Sequence, residues 1–310
     1  MRPPDNRGGA IRRGHTAPGR PVPAKGDRDL DCRHATMTDT AHPHLTAVTR
    51  QRHAGRFWRR FRSYAFAQPL RGVDVVMAEL EPAASAFPIV FRESGDDARF
   101  EPVALLRLAA TGTTAFVARD GSWRGSYVPS RLRAHPFAAE PADTSGEMAL
   151  MIDEDSGLVT DDPADEAFFD ASGEPAEALA QVIAFFRSRA RSAAAAADAC
   201  TALRARDLMR PLRPLPGMRD EDAAGLFEVE ADKLDALGHA ALPALWDSGA
   251  LRMAAAHRVS LCHAGWMDRA MRADAAARTA APAPPDAPGA GIAGFLDALA
   301  EARGRDGGGE

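Results

Sequence analysis

Three consecutive carboxylates, Asp153-Glu154-Asp155, stand between the apolar lead-in Met151-Ile152 and the run Ser156-Gly157-Leu158-Val159. Like charges this close repel, so they need solvent, a cation or basic side chains around them. Three kinds of chemistry suit such a corner. A hard cation such as Ca²⁺ or Mg²⁺ takes carboxylate oxygens, although an EF-hand is excluded because Gly157 is misplaced and the bidentate glutamate is missing. Asp153 or Asp155 can instead serve as an N-cap or turn residue, accepting from the Ser156 and Gly157 amides. Alternatively, the carboxylates pair with the Arg131 and Arg133 guanidiniums, whose planar fork suits them. Capping and pairing is the preferred reading, ligand or partner contact comes next, and no metal is assigned. Ser156 does not qualify as a nucleophile, because the G-x-S-x-G elbow is absent.

The second group is the aromatic and basic stretch Trp123, Tyr127, Arg131, Arg133, His135 and Phe137. It could hold an anionic or peptidic ligand by stacking and charge; the plainer reading puts Trp123 and Tyr127 in the core and the arginines on the surface. The nine histidines form no metal box. The three cysteines, Cys32, Cys200 and Cys262, lack metal-type spacing, and their odd number argues against a disulfide framework. Cys200 and Cys262 read as packing residues on helix faces. There is no phosphate-cradling glycine loop, no catalytic motif and no cofactor signature.

Composition narrows the partners. A net charge of −5 over 310 residues supplies no basic surface for nucleic acid or anionic lipid. No apolar run reaches the length of a membrane span, and the first residues lack the apolar centre of a secretory signal. The expectation is a cytoplasmic protein without membrane insertion.

These groups need elements to position them. Residues 1–44 are read as a disordered extension, rich in Arg, Gly and Pro through residue 36, with Met37 a candidate translation start. Residues 275–310 are read as a disordered Pro/Ala/Gly-rich tail, with Ile292, Phe295, Leu296 and Leu299 spaced for a short helix. Between them, residues 45–274 form the ordered domain. Its first half reads as strands at 75–80, 87–91 and 103–108, followed by a hairpin at Asp120-Gly121. A two-residue type I′ turn there would set Ala118 opposite Trp123, Phe116 opposite Gly125 and Thr114 opposite Tyr127, leaving Arg124 and Ser126 wet. The second half reads as helices. One runs from 175 to 206, with Leu179, Val182, Ile183, Phe186, Ala190, Ala193, Ala197 and Cys200 on one stripe. A last helix from 251 to 264 has Leu251, Ala255, Val259, Cys262 and Trp266 on its buried side. The fold class is α+β: a mainly antiparallel sheet from the first half, covered by helices from the second.

Blocks of residues in a fixed order carry a resemblance. They are Tyr64-Ala65-Phe66, Glu79, Phe87 to Phe91, Val103 to Leu106, Trp123 with Tyr127-Val128-Pro129, Pro136-Phe137, Ile152 to Leu158, Phe168-Phe169-Asp170 with Gly173-Glu174-Pro175, Leu226 to Val229, and Gly249-Ala250-Leu251. Their order over two hundred residues resembles the SapC family, named for a bacterial surface-layer locus. The resemblance implies a cytoplasmic accessory protein that is not an enzyme. Its partner would be a protein or peptide linked to surface-layer export or TonB-type uptake. The family brings no agreed reaction and no catalytic residues. The alternative is an enzyme or enzyme subunit with a carboxylate site at Asp153, Glu154 and Asp155, near Tyr127 and Arg131. The chain departs from the family pattern at its last helix, where Arg252, Arg258 and His263 replace a more apolar stretch.

Overall fold

The computed structural model describes residues 44–94, 99–141 and 148–279. The expectations for residues 1–43 and 280–310 lie outside them, while residues 275–279, expected to be part of a disordered tail, are the end of a helix. The chain begins with β1 (Leu45–Ala47), α1 (Arg50–His53) and β2 (Phe57–Trp58). β3 (Gly72–Asp74), α2 (Leu80–Ala84), β4 (Ile89–Ser94) and β5 (Arg99–Leu105) follow. Next come α3 (Ser130–Arg133), β6 (Phe137–Pro141), β7 (Met148–Asp153), β8 (Val159–Thr160) and β9 (Glu166–Ala167). The long α4 (Glu177–Arg204) opens the second half. It leads to β10 (Met209–Pro211), α5 (Asp220–Ala223), β11 (Leu226–Val229), α6 (Ala231–Asp235), α7 (Leu242–Asp247), α8 (Ala250–Ser260) and α9 (His263–Thr279). The fold is α+β, with antiparallel sheets in the first half and helices in the second.

The main sheet has the order β10-β11-β4-β5-β3, every neighbour antiparallel. Ile89, Val90 and Phe91 on β4, and Val103, Ala104 and Leu105 on β5, are all fully buried. Successive strand residues point to opposite faces, so both faces of this hairpin are covered, which is why the strands read as continuous apolar runs. Helices α4 and α8 pack on this sheet. Two small sheets, β1-β7-β6 and β8-β2-β9, flank a second cluster of Trp58, Phe137, Ile152, Phe168, Leu179 and Phe186. Helix α4 joins the two cores. Its first half gives Leu179 and Phe186 to the smaller one, and its second half gives Ala196, Ala199, Cys200 and Leu203 to the larger.

Three local expectations are corrected. The run 75–80 is not a strand: β3 stops at Asp74, and Met77–Glu79 forms a single 3₁₀ turn that feeds α2. The hairpin at Asp120-Gly121 has a three-residue loop. Gly121 N–H donates to Ala118 O (3.0 Å), Ala118 N–H donates to Ser122 O (2.9 Å), and Gly121 takes φ +82°. This is a type I turn followed by a left-handed glycine, so Val117, not Ala118, faces Trp123. A side chain at Gly121 would also collide with Ser63. Arg124 and Ser126 are exposed as expected, but Thr114 through Val117 are buried without alternation.

The third correction concerns the last helix. It breaks after Ser260 and resumes at His263, and α8 buries Ala250, Met253, Ala254, His257 and Ser260. Ala255 and Cys262 are exposed, Val259 is 68% exposed, and Trp266 leans on Phe116. The reason is polar. The β11–β4 register pairs Leu226 with Arg92 and Phe227 with Phe91, which continued would set Val229 against Ile89. Instead the His257 ring bridges these residues: Val229 N–H donates to Nε2 (3.2 Å), and Nδ1–H donates to Ile89 O (2.7 Å). Ile89 N–H donates to Ser260 Oγ (2.8 Å). Buried backbone groups demand partners, and α8 turns the face that supplies them toward the sheet. The three polar residues singled out in this stretch also have structural partners: Arg252 binds Glu81 (2.6 Å), Arg258 binds Asp235 (2.8 Å), and His263 Nε2 lies 3.1 Å from Ala84 O.

Candidate functional site

The acidic corner lies where β7 ends. β1 runs beside it, with Leu45 opposite Asp153, and Glu154–Ser156 forms a 3₁₀ turn closed by Gly157 at φ +70°. Asp153 is buried and caps this turn, accepting from the Asp155 amide (3.1 Å), while Ser156 Oγ donates to Asp153 O (2.6 Å). Asp153 thus takes the expected N-cap role, with the Asp155 amide as a donor. Glu154 receives a two-pronged bond from Arg52 Nε and Nη2, both at 2.6 Å, a geometry that only guanidinium offers. His53 Nε2 stands 3.2 Å from the same carboxylate, and its ring packs on Phe168 at 4.8 Å. The Arg52 bond holds the Glu154 carboxyl below its usual range, and burial pushes the His53 ring down from its ordinary value. Asp155 is 67% exposed and faces His44 Nε2 at 3.7 Å. The expected pairing with Arg131 and Arg133 is therefore corrected: α1 supplies the basic partners. Among the described residues no group of three or more His, Cys, Asp or Glu could hold a metal ion.

Arg131 and Arg133 belong to a different network, centred on Glu79. That carboxylate is buried at the end of the 3₁₀ turn. It accepts from Tyr127 OH (2.8 Å), the Ser130 amide (2.7 Å), Ser130 Oγ (2.6 Å) and the Val76 amide (3.3 Å). Arg189 of α4 donates to Ser130 Oγ (3.1 Å) and also binds the Asp74 carboxylate. Burial alone would raise the Asp74 carboxyl, but Arg189 and Arg131 outweigh it and hold it low. The Tyr127 hydroxyl is pushed up to about 12, first by burial and then by Glu79. The Arg133 guanidinium lies over the Tyr127 ring at 5.8 Å, 3.3 Å from its hydroxyl and 3.9 Å from Glu79. Trp123 Nε1–H donates to Tyr127 O (2.8 Å), and its ring stacks on Phe116 at 5.7 Å.

Both networks fall inside one recognisable span. A family model described as SapC matches residues 48–265. The chain belongs to the SapC family. No curated protein and no solved structure matches it. In this SapC-family chain the matched span contains all eight candidate residues: Trp123, Tyr127, Arg131, Arg133, Asp153, Glu154, Asp155 and Ser156. The structure divides them into two groups with separate partners. Sequence reasoning missed Asp74, Ser130 and Arg189 altogether, and gave Glu79 no role. The available signal was Glu79 itself, a carboxylate inside the apolar run 75–80, which a fold tolerates only where hydrogen bonds satisfy it. Arg52 and His53 had no comparable signal, because they reach Glu154 across 102 and 101 residues of chain.

Proposed function

We propose that this SapC-family protein is a cytoplasmic accessory factor without catalytic activity. It holds a protein or peptide partner linked to surface-layer export or TonB-type uptake. One observation carries the choice of surface. Arg131 donates no hydrogen bond among the described residues, although only 23% of its side chain is exposed. The groups with catalytic potential are committed internally: Glu154 to Arg52, Asp153 to its turn, Tyr127 and Ser130 to Glu79. The Arg131–Arg133 face of α3, with the half-buried Tyr127 and Trp123 beside it, is the place where charge and aromatic surface are left for another molecule. The lack of a membrane-length apolar helix among the described residues is compatible with this placement.

Co-expression with the products of neighbouring genes tests the reading. A stoichiometric complex that is lost in the Arg131→Gln/Arg133→Gln double variant supports it. The enzyme alternative takes its place if no neighbour forms a complex and the purified protein carries a divalent ion lost on changing Asp153, Glu154 and Asp155 to amides.

A further inference from the structure

We propose that Arg131 is the anchor for a single carboxylate group, the C-terminal carboxylate of a peptide. The inference rests on the partner-binding reading above and names the chemistry of the group that α3 receives. A guanidinium has five donors and a strong preference for bidentate acceptors, yet the nearest carboxylate oxygen, Asp74 Oδ1, is 3.9 Å from Arg131 Nε. Asp74 is already taken by Arg189, which also holds Ser130 Oγ. Arg131 is therefore drawn into the network by charge and satisfied by none of its members. Burial disfavours its charged form, which an added anion would relieve.

The local charge count selects the kind of anion. Three guanidiniums, Arg131, Arg133 and Arg189, face the carboxylates Asp74 and Glu79, and Glu140 on β6 also acts on Arg131. Positive and negative groups balance, so every added negative charge goes unmatched and a doubly charged phosphate is penalised more than a singly charged group. A carboxylate brings one charge and matches the fork. The start of α3 is held in place: the Ser130 amide and hydroxyl pin it to buried Glu79, so ligand binding does not have to order it. Arg133, 50% exposed and held by long contacts to Glu79 and the Tyr127 ring, flanks the anchor.

The test is a titration of the full chain with N-acetyl-alanyl-phenylalanine, its C-terminal amide and inorganic phosphate, read on the arginine Nε–H NMR signals. The acid is expected to shift the Arg131 signal and to bind about tenfold more tightly than the amide. Arg131→Gln should bring the acid down to the amide's affinity with the fold retained by circular dichroism, since no hydrogen bond is removed and Arg189 still pairs with Asp74. Should that variant fail to fold, Arg131→Lys serves instead: it keeps the charge, loses the fork, and should weaken the acid several-fold. Equal binding of acid and amide, preference for phosphate, or undiminished acid binding in Arg131→Gln overturns the proposal. The two readings fail separately. A gene-neighbour complex alongside a wild-type chain that ignores the acid removes the carboxylate anchor alone. Acid binding at Arg131 with no complex from any neighbour removes the partner reading alone.

Discussion

Buried polar residues do the most specific work in this molecule, and His257 shows how. Its ring replaces a direct bond between Val229 and Ile89, which requires a neutral imidazole with a proton on Nδ1 and a lone pair on Nε2. Burial holds its pKa at about 4, against an ordinary 6.5. The unfolded chain therefore takes up this proton first as pH falls. The stability contributed by the neutral ring is fully present above about pH 6.5 and is lost as pH drops toward 4, a change of roughly 3 kcal/mol. NMR titration of the His257 ring, alongside melts across this window, checks both parts; a midpoint near 6.5 would contradict the bridge. Glu79 is the second such residue. Glu79→Gln puts an amide among four donors, and the expected cost is about 3 kcal/mol. The same change removes one of the two causes that raise Tyr127, so ultraviolet titration should find its hydroxyl ionising below about 12.

At the scale of elements, the loop around Gly121 and helix α8 were both located by the sequence and both misassigned in detail. The Asp-Gly pair marks a turn, but two- and three-residue loops share that signal, and the choice shifts the register by one residue. The close approach at Gly125 survives the shift. A Cβ there would sit 2.8 Å from Trp123 Nε1 and 3.2 Å from Phe116 Cδ1. Gly125→Val is therefore expected to cost roughly 1–3 kcal/mol by overpacking and to loosen the Trp123–Tyr127 hydrogen bond, measurable by chemical denaturation with tryptophan fluorescence. An unchanged midpoint would mean the Phe116–Trp123 stack is placed wrongly. For α8, apolar spacing favoured Val259 as a core residue over His257. Hydrophobicity ranks side chains one at a time; it does not register that Ile89 and Val229 leave backbone groups in need of partners.

Across the whole molecule, α4 is the only described helix that contributes to both cores, and its continuity ties the acidic corner's sheet to the main sheet. Ala190, which the spacing had put on the apolar stripe, lies between the two contributions and is exposed, so replacing it by proline alters the helix while leaving side-chain packing alone. The expected loss is about 3 kcal/mol or more, seen as a lower melting temperature, whereas Ala190→Ser should change little. A proline variant as stable as the parent would show that the cores do not depend on an unbroken α4. The sequence by itself determined the family, through residue blocks kept in order over two hundred positions. It also determined the α+β class, since strand-length apolar runs and a long helical stripe are local properties of the chain. Only the tertiary structure decided which charges meet. Arg52 finds Glu154, Arg189 finds Asp74 and Tyr127 finds Glu79 across 48 to 115 residues. Pairing at that range depends on where the folded backbone brings the groups, a relation that spacing along the chain does not encode.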